Sequence, residues 1–495
     1  MKECLTAGEA KLLDKQTIEF GTDELELMER AARGVENRIT GLFEQSSKIV
    51  LLCGMGNNGG DALAVARMLN DRDYPVTVVL AGDEERASAS WKWQKEHLCV
   101  YRELRAVDTV SDDVRLAIAE ADAVVDGLFG IGLSRDVSGV YEELIDIVNA
   151  SSAHVIAVDI ASGINADTGQ IMKSAIRADE TVTFGCKKVG HVLHPGRAYS
   201  GEVHVCDIGF ITPQRAGIEN CAMVLDEQCL SALPDRNTSG NKGTFGKVYI
   251  RAGSAGMAGA ALLCGEAAYR TGVGLVYLSS PEENRVIIQL GLPEAVYKGD
   301  SSDYLTLRTV DAALIGPGLT TGDNAVAELK RLLGAVYIPM VLDADALNII
   351  SLHDDVALQV KNYPAPKILT PHAGEMGRLL HRTTSKVKED MVASAKEAAR
   401  IYGAVVVLKD ASTVITDGNA VRICDAGSDG AGCGGSGDVL SGIIAGLIAG
   451  GCSAFDAAVM GVYIHDRAGF IASEKLGPRF MLSRDIIDCM KEVLR

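Results

Sequence analysis

Short, nearly continuous runs of aliphatic residues recur along the first half of the chain, and each finishes in Gly, Asp or Ser or just short of one. The runs are Lys48–Gly54, Val76–Gly82, Ala123–Gly127, His154–Asp159, Thr181–Gly185 and Val203–Gly209. A strand with one face in water would alternate apolar and polar residues, so unbroken runs indicate strands covered on both faces. The pattern predicts a parallel sheet between helices, with ligands at the carboxyl ends of the strands.

The length and composition indicate more than one such domain. The chain has 495 residues, 47% of them hydrophobic and only 5% aromatic, and contains 53 glycines. This is the composition of an α/β protein, and 495 residues exceed what one ordinary core holds. The stretch 211–243 is polar and marked by Pro and Gly, and a second βα series begins at Lys247. We therefore expect one domain over residues 1–215 and another over 223–495.

Charge, cysteine usage and hydropathy narrow the function classes. The formal net charge of -18 argues against a nucleic-acid partner, which would need clustered Lys and Arg. The twelve cysteines form no C-x-x-C pair, so neither a zinc site nor a disulfide framework is indicated. The N-terminus has no apolar leader, and the apolar run after Asp438 is shorter than the roughly 20 residues of a membrane span. We expect a cytoplasmic homo-oligomer with no membrane partner.

The segment Gly434-Gly435-Ser436-Gly437 precedes Asp438 and an apolar helix. Glycines allow successive backbone amides to face one anion, and the helix start adds its positive dipole end. The segment therefore predicts a phosphate site with a carboxylate placed to take a proton, although an ordinary helix cap is the alternative for Asp438. Gly442, Gly446 and Gly450 recur at every fourth residue, which predicts a buried helix packed close to a neighbouring backbone.

A second glycine loop follows the first strand and consists of Asn57, Asn58, Gly59, Gly60 and Asp61. A strand, a glycine loop and a helix in this order form a phosphate cradle, whereas the alternative is a tight turn without a ligand.

Three oxygen-bearing side chains, Asn58, Asp126 and Ser162, lie at the ends of three predicted strands. Such oxygens suit a hard cation, and Asp159 would lie in the same crevice as an acid or a base. Each of these residues taken alone is more often a cap or turn residue.

With these motifs in place, nearly the whole chain resembles the bifunctional NAD(P)H-hydrate repair enzymes, in which an epimerase is fused to an ADP-dependent dehydratase. The first half supplies the loop 57–61, Asp126 with 130–136, 158–163, Lys188 before 194–196, and 207–209. The second half supplies 243–246, 253–261, 270–276, 316–319, 343–347, 370–375 and 434–440. The motifs occur in the family order in both halves.

The resemblance implies a Rossmann-like epimerase domain, which interconverts the R and S hydrates of NADH and NADPH. It implies K⁺ bound through Asn58, Asp126 and Ser162, and Asp159 in the acid/base position. The implied hydrate pocket comprises Asn57, Asn58, Gly59, Gly60, Asp61, Gly130, Ile131, Gly132, Leu133, Ser134, Arg135, Asp136, Tyr141 and Asp159.

The resemblance also implies a ribokinase-like dehydratase domain that converts ADP to AMP and phosphate while it dehydrates the S hydrate, with Mg²⁺ expected beside the nucleotide. Asp438 would accept the hydroxyl proton. Gly318, His372 and Asp438 match the hydrate-contacting positions, although His372 is also compatible with an ordinary loop histidine. The implied nucleotide-binding residues are Lys409, Asp410, Ala411, Ser412, Thr413, Gly434, Gly435, Ser436 and Gly437.

Some residues depart from the family pattern, and two other functions remain open. Ala62 and Ala161 replace a usual Gly and Pro, and the run 425–433 lacks a usual Asn-Pro, which puts nucleotide contacts there in question. Asn241 replaces a common His, and Met257 stands where an aromatic residue is frequent. A ribokinase-like small-molecule kinase with a nucleotide-binding first domain fits the Gly434–Asp438 motif, but the full first half and the segment Thr370-Pro371-His372 weigh against it. A dinucleotide sensor without catalysis is the second alternative.

Overall fold

Two units divide the chain in the computed structural model, which describes residues 1–99, 102–299 and 307–494. The first unit comprises Glu3–Ala222, and the second comprises Met1–Lys2 with Met223–Arg495. The division lies within the polar stretch 211–243.

The first unit alternates strands with helices along most of its length. Its strands are β1 (Lys2–Leu5, which begins at the unit boundary), β2 (Ile49–Cys53), β3 (Val76–Ala81), β4 (Arg102–Ala106), β5 (Ala123–Gly127), β6 (His154–Val158), β7 (Glu180–Phe184), β8 (Lys187–Lys188) and β9 (Glu202–Cys206). Its helices are α1 (Ala7–Glu19), α2 (Glu24–Leu42), α3 (Asn57–Asn70), α4 (Ala89–Glu96), α5 (Asp112–Ala119), α6 (Val140–Ala150) and α7 (Gly196–Tyr199).

Seven parallel strands of the first unit form a sheet in the order β4-β3-β2-β5-β6-β7-β9. The chain builds outward from β2 in one direction and then from β5 in the other, which is the doubly wound arrangement of a Rossmann fold. The direction changes between β2 and β5, where Leu52 pairs with Asp126 and Cys53 with Gly127. A crevice is expected beyond these two carboxyl ends.

Helix α2 shows how the sequence covers this sheet. Asp23 caps the helix by accepting a hydrogen bond from the backbone N–H of Leu25 at 2.9 Å. The buried residues Leu27, Ala31, Val35 and Ile39 recur at every fourth position, so they form one apolar stripe. Burial of each large side chain stabilises the unit by about 1.5–3 kcal/mol.

The second unit contains a further series of strands and helices. Its strands are β10 (Ala222–Val224, which begins at the unit boundary), β11 (Lys247–Arg251), β12 (Leu275–Ser279), β13 (Val296–Tyr297), β14 (Ala312–Ile315), β15 (Met340–Leu342), β16 (Lys367–Leu369), β17 (Val405–Leu408), β18 (Thr413–Thr416) and β19 (Val421–Cys424). Its helices are α8 (Ala258–Arg270), α9 (Arg285–Gly291), α10 (Asp323–Ala335), α11 (Asp345–Leu352), α12 (Asp354–Asn362), α13 (Ala373–Leu379), α14 (Thr384–Glu389), α15 (Met391–Tyr402), α16 (Ser436–Ala449), α17 (Ala454–Leu476) and α18 (Ser483–Val493).

The sheet of the second unit runs in the order β13-β12-β11-β14-β15-β16-β17-β18-β19-β10. The strands from β13 to β17 are parallel, whereas β18 is antiparallel to both β17 and β19. The sequence predicted one continuous βα series up to Gly434, so the prediction was wrong for β17–β19. The loop 409–412 therefore connects two antiparallel strands and does not lead into a helix.

Helix α16 is the buried helix predicted after Gly434. A Cβ on Gly442 would lie 2.4 Å from the carbonyl oxygen of Cys264 in α8, and a Cβ on Gly446 would lie 2.4 Å from Thr271 Oγ1. The backbone-close packing predicted for these two glycines is confirmed. Gly450 instead ends the helix as its C-cap, so the prediction was wrong there. Within the described residues, no helix has the length and apolar character needed to cross a bilayer.

Candidate active sites

A cavity of about 600 Å³ opens in the first unit beside the carboxyl ends of β2, β5 and β6. Its wall includes predicted residues from the glycine loop, the loop after β5 and the end of β6. These are Asn57, Asn58, Asp61, Gly130, Ile131, Gly132, Leu133, Ser134, Arg135, Tyr141 and Asp159. The pocket thus lies where the strand order of the doubly wound sheet changes direction, between β2 and β5.

Three predicted pocket residues do not line this cavity. Gly59 packs so closely on β2 that a Cβ would lie 1.7 Å from the carbonyl oxygen of Gly54, and Gly60 packs against Met28. Only a residue without a side chain fits at Gly59, so its role is to bring α3 onto the strand. Asp136 is exposed on the loop after β5.

The structure brings Asn58, Asp126 and Ser162 together around the backbone of Phe129. Asn58 Nδ2 donates to the Phe129 carbonyl oxygen at 3.0 Å, and the Phe129 N–H donates to Ser162 Oγ at 2.8 Å. The Asp126 carboxylate accepts hydrogen bonds from the Ser162 N–H at 2.7 Å and from Ser162 Oγ at 2.6 Å. The three strand ends therefore share one hydrogen-bonded cluster.

The chemistry of this cluster fits a hard cation. Asp126 is fully buried, and burial raises the pKa of its carboxyl to about 6, against the opposing effect of the Ser162 hydrogen bonds. Within the described residues, no Lys, Arg or His forms an ion pair with Asp126. Asn58 Oδ1, the carboxylate and the Phe129 carbonyl supply oxygen atoms of the kind that K⁺ takes, and a cation would compensate the buried charge.

Asp159 is held in an unusual backbone conformation at the end of β6. Its φ of 62° lies in the left-handed region that a non-glycine residue rarely adopts, a form of strain that clusters at functional sites. The carboxylate accepts a hydrogen bond from Thr183 Oγ1 at 2.9 Å and forms an ion pair with the buried Lys188 ammonium. Burial alone would raise the pKa of Asp159, but the Lys188 charge and these hydrogen bonds outweigh it and hold the pKa below its usual value.

Lys188 is fixed as firmly as its partner. Its Nζ also donates to Thr183 Oγ1 at 2.9 Å and to the Phe184 carbonyl at 3.2 Å, while its backbone N–H donates to His191 Nδ1 at 3.0 Å. Burial and the nearby Lys188 charge lower the pKa of His191 to about 3. His191 is therefore neutral at physiological pH, and Asp159 and Lys188 form a rigid ion pair.

Two further carboxyl groups, those of Asp14 on α1 and Asp61 on α3, line the same cavity. Neither side chain has a hydrogen bond or an ion pair with the described part of the chain. Removal from bulk water raises the pKa of Asp61 well above its usual value, and the negative charges of Asp159 and Asp14 raise it further. Burial, with Glu24 and Asp159, likewise raises the pKa of Asp14.

Cations line the cavity beside these acids. Lys11, Arg86 and Arg135 all contribute to its wall and are exposed to solvent. Tyr141 stacks at a tilt on Phe129, with ring centroids 4.8 Å apart, and its hydroxyl donates to the Ala81 carbonyl at 3.1 Å. The cavity thus combines an aromatic wall, carboxyl groups and cations suited to an anionic ligand.

The second unit gathers its candidate residues after four adjacent parallel strands. Gly318 follows β14, Asp343 follows β15, His372 follows β16 and Lys409 follows β17. Gly318 has a φ of 65°, and a Cβ there would lie 3.2 Å from Ala260 Cβ. The carboxyl ends of parallel strands again define the site.

A buried ion pair lies at the centre of this edge. Lys409 Nζ is 2.9 Å from Asp343 Oδ1, and a Cβ on Gly437 would lie 3.4 Å from the same ammonium. Burial would lower the pKa of Lys409, but Asp343, Glu375 and Asp438 outweigh it and raise the pKa. The glycine loop of α16 therefore lies beside a fixed positive charge.

Asp438 lies in the first turn of α16, and its side chain does not cap the helix. The cap position belongs to Gly435, which has a φ of 90° and makes no side-chain bond, so the helix-cap alternative for Asp438 is wrong. Burial and the nearby Asp343 carboxylate raise the pKa of Asp438 to about 6, although the Lys409 charge opposes the shift. A group with this pKa accepts protons near neutral pH.

Neighbouring helices hold the glycine loop in place. Ser436 Oγ is 3.0 Å from His465 Nε2, and His465 Nδ1 is 3.0 Å from Asp466 Oδ1. On the other side, Ser483 Oγ donates to the Gly434 carbonyl at 2.7 Å. These contacts fix the main chain on either side of Gly435, which pre-organises the backbone N–H groups that the sequence predicts as an anion site.

The remaining predicted residues have structural partners. His372 caps α13, because its Nδ1 accepts from the Gly374 N–H at 2.9 Å and its own N–H donates to Glu375. Burial and the charges of Lys409 and Arg378 lower the pKa of His372, and its Nε2 lies 3.5 Å from Glu375 Oε1. Asp410 pairs with Lys388, Ala411 is exposed, and Ser412 and Thr413 are buried at the start of β18.

Sequence reasoning missed several residues that the fold brings into these sites. Asp14, Lys11 and Arg86 line the first cavity, while Asp343 and His465 support the second site. Asp343 lay within a quoted motif, and its place at a strand end was the available signal. Asp14 lies on a helix that carries no motif, so no pattern of residues pointed to it.

Two family models match the chain, one in each unit. The model described as "YjeF-related protein N-terminus" matches residues 24–190, and the model described as "NAD(P)H-hydrate dehydratase" matches residues 248–492. The bifunctional NAD(P)H-hydrate repair enzyme of Moorella thermoacetica is 36% identical over 519 residues, covering 99% of this chain and 96% of that protein. The chain belongs to the bifunctional NAD(P)H-hydrate repair enzyme family.

A second family member and one solved structure are also similar to this chain. The family member of Escherichia coli is 33% identical over 486 residues, covering 96% of this chain and 90% of that protein. A crystal structure described as the ADP/ATP-dependent NAD(P)H-hydrate dehydratase of Bacillus subtilis, co-crystallised with ATP and Mg²⁺, is 30% identical. It covers 55% of this chain and 97% of that chain, with a TM-score of 0.49.

Membership of the family confirms the expected resemblance, and the α/β fold class is confirmed with it. The strand order of the first unit is that of a Rossmann-like domain, and the second unit is the ribokinase-like half. Ala62, which departs from the family pattern, is buried against Gly127, where a Cβ would lie 2.5 Å from the Ala62 methyl. The extra methyl group is thus accommodated by a neighbouring glycine.

Proposed function

We propose that the chain repairs hydrated NADH and NADPH by two linked activities. The first unit interconverts the R and S hydrates, and the second dehydrates the S hydrate to NAD(P)H at the expense of ADP. One observation carries the proposal: the chain belongs to this family and has a carboxylate in a strand-end or glycine-loop setting in each unit, Asp159 beside Lys188 in the first and Asp438 beside Gly437 in the second. Each activity thus has its own carboxylate.

The first site is proposed to act on the hydrated nicotinamide ring. The cavity of about 600 Å³ accommodates a nucleotide-sized ligand, and Lys11, Arg86 and Arg135 lie where they can neutralise phosphate charge. Asp159, kept ionised by Lys188, exchanges a proton with the ring hydroxyl or with water.

K⁺ is proposed to bind through Asn58, Asp126 and Ser162 with the Phe129 carbonyl. When bound, the ion would supply a fixed positive charge that compensates the buried carboxylate and orders the strand ends. The Asp126 and Ser162 side chains meanwhile hold the loop after β5, which contributes the 130–135 wall of the cavity.

The second site is proposed to make the hydroxyl of the S hydrate a better leaving group. Asp438 accepts the hydroxyl proton as the oxygen bonds to the terminal phosphorus of ADP, and AMP departs with the electron pair of the broken P–O bond. The ring nitrogen lone pair then expels phosphate, and loss of the neighbouring ring proton gives NAD(P)H. Dividing one difficult elimination into two easier steps is the advantage of the intermediate.

The residues around Asp438 stabilise the phosphoryl group during its transfer. Gly434–Gly437 present backbone amides at the start of α16, and Lys409 adds a charge beside Gly437. Asp410, Ala411, Ser412 and Thr413 are proposed to border the adenosine, and Gly318 and His372 to contact the hydrate. The described residues contain no cluster of three metal-binding His, Cys, Asp or Glu side chains, so Mg²⁺ would arrive on the nucleotide phosphates.

The domain bounds, the cellular location and the assembly of the protein are part of the same proposal. The epimerase domain would span residues 1–215 and the dehydratase domain 223–495. The protein would act in the cytoplasm, as expected from the sequence, and would assemble as a homo-oligomer.

The proposal is tested with chromatographically separated R and S hydrates in the presence and absence of ADP. We expect the full chain to interconvert the hydrates without ADP and to restore dihydronicotinamide absorbance only when ADP is added. Stable phosphorylation of another small molecule, with no return of absorbance, would favour the kinase alternative. Binding without any turnover would favour the sensor alternative.

A further inference from the structure

Four acidic side chains, those of Asp14, Glu24, Asp61 and Asp159, line the cavity of the first unit together with two lysines, but the acids are not equivalent. Asp159 is engaged by Lys188, by Thr183 Oγ1 at 2.9 Å and by the Phe184 N–H at 3.3 Å. All these partners donate hydrogen bonds, so they stabilise the carboxylate and oppose its protonation. Asp159 therefore arrives at the reaction as the carboxylate, the form that can accept a proton, and is poorly suited to arrive carrying one.

Asp61 has the opposite environment in the same cavity. It lies on α3, after the glycine loop, and its carboxyl group makes no hydrogen bond or ion pair with the described residues. The charged groups that act on it are Asp159 and Asp14 and, to a smaller extent and with the opposite sign, Lys188. Two of these three are negative, so the protonated carboxyl is the form that the surroundings favour.

We propose that Asp61 is the general acid of epimerisation and that it works against Asp159 as the general base. This inference rests on the proposed epimerase function of the first unit and assigns the second partner of its proton transfers. Two carboxyl groups in one cavity, whose surroundings shift their pKa values in opposite directions, form the usual arrangement for paired acid/base chemistry. Burial raises the pKa of Asp61 while Lys188 holds that of Asp159 low, which agrees with these roles.

The reaction then proceeds through loss and return of water. The lone pair of the ring nitrogen forms a second bond to the hydroxyl-bearing carbon as the carbon–oxygen bond breaks. The Asp61 proton goes to the departing hydroxyl, which leaves as water, so an iminium ion and an Asp61 carboxylate remain. A hydroxide ion would be a much poorer leaving group, which is why an acid is needed at this position.

Water then adds to the opposite face of the ring. Its oxygen bonds to the same carbon, the second bond returns to the nitrogen as a lone pair, and the surplus proton goes to the Asp159 carboxylate. Solvent carries the proton from Asp159 back to Asp61, so no atom or electron is gained or lost. Lys188 acts as a positioning residue, since it fixes the Asp159 carboxylate through the ion pair.

The experiment uses the full chain without ADP, so that dehydration does not consume the hydrates. Epimerisation of a pure hydrate is followed by chromatography in water enriched in heavy oxygen, and the label in the hydrate is measured by mass spectrometry. We expect label to enter the hydroxyl at the rate of epimerisation. Epimerisation by the parent chain without entry of label would overturn the loss-and-return step.

The variants Asp61→Asn and Asp61→Glu test the acid directly. The first keeps the shape but carries no acidic proton, so kcat should fall on the order of 10²-fold while KM stays close to that of the parent. The second restores an acidic proton and should recover part of kcat. The control Asp71→Asn, at the exposed end of the same helix, should behave like the parent.

The outcomes separate this inference from the proposed function. If the parent chain does not interconvert the hydrates, the proposed function fails. If the parent is active and Asp61→Asn has near-parental kcat, only the assignment of Asp61 fails. If the activity of Asp61→Asn is too low to saturate, Asp61→Glu tests the assignment instead. Recovered turnover in Asp61→Glu supports Asp61 as the acid. No turnover of Asp61→Glu at hydrate concentrations near the KM of the parent overturns it.

Discussion

Replacement of Asp438 by Asn tests whether this carboxylate is the base of the dehydratase site. The variant keeps the size of the side chain and the helix start, because the cap position belongs to Gly435 and Asp438 makes no capping bond. Asn cannot accept the hydroxyl proton. Removal of a general base lowers the rate by about 10²- to 10⁴-fold, so we expect dehydration to fall by at least 10²-fold.

The pH dependence of the parent follows from the environment of the same group. With a pKa of about 6, Asp438 is about nine-tenths ionised at pH 7 and about one-tenth ionised at pH 5. Only the ionised form is a base, so kcat for dehydration should fall about tenfold between these pH values. Asp343 raises the pKa and Lys409 lowers it, so Asp343→Asn should move the acid limb to lower pH.

The assay follows dihydronicotinamide absorbance with the S hydrate and ADP, and calorimetry measures ADP binding. The Asn variant should bind ADP as tightly as the parent or more tightly, since a negative charge near the phosphates is removed. Epimerisation in the other unit should continue at the parental rate. A variant that binds ADP and dehydrates at near the parental rate, or an acid limb that moves to higher pH in Asp343→Asn, would refute the assignment.

Three further changes test other parts of the structure. Asp126→Ala should abolish epimerisation, measured by chromatography, and leave ADP-dependent dehydration intact. Epimerisation by the parent chain should be faster in K⁺ than in Li⁺, and equal rates in both salts would contradict the proposed cation site. Gly59→Ala should lower the free energy of unfolding by about 1–3 kcal/mol, because the new Cβ would lie 1.7 Å from the Gly54 carbonyl oxygen. The control Gly41→Ala has open space around the new Cβ and should not lower it. Urea titration of both variants measures the difference. Ser483→Ala should weaken ADP binding about fivefold in calorimetry, because it removes the hydrogen bond to the Gly434 carbonyl. The control Ser351→Ala removes a hydrogen bond of the same 2.7 Å length on α11 and should leave ADP binding unchanged. Equal ADP affinities of the two variants would show that the Ser483 hydrogen bond does not order the Gly434–Gly437 loop.

The sequence predicted the sheet of the first unit well because each of its strands is a continuous aliphatic run that can be recognised by itself. The run Ala123–Gly127 coincides with β5, and Lys48–Gly54 differs from β2 only at its ends. Aliphatic residues on both faces are required wherever helices cover both faces of a sheet, so the pattern is local. The glycine spacing of α16 was informative for a similar reason, because Gly442 and Gly446 must accept the backbone of α8.

The antiparallel strands β18 and β19 were missed because the residues of a single strand do not show the direction in which it pairs. The segment Thr413–Thr416 is as buried as the parallel strands before it. Its direction depends on the short connection 409–412, which the sequence presents as another strand end.

The sites were predictable where a residue follows a strand or belongs to a glycine segment at a helix start. Asp126, Asp159 and Lys409 follow strands directly or lie at their ends, so topology alone places them at one edge of a sheet. Asp14 and His465 lie within helices and reach the sites through tertiary packing. No spacing rule connects position 14 with position 159, so such contacts become visible only in the folded chain.

The central claim is that one chain carries both an epimerase and an ADP-dependent dehydratase for hydrated NADH and NADPH. The most direct measurement supplies an equal mixture of R and S hydrates with ADP and follows both hydrates, dihydronicotinamide absorbance, AMP and phosphate together. We expect both hydrates to disappear completely, with one AMP and one phosphate formed for each NAD(P)H recovered. Persistence of the R hydrate after the S hydrate is exhausted, or recovery of NAD(P)H without AMP, would contradict it.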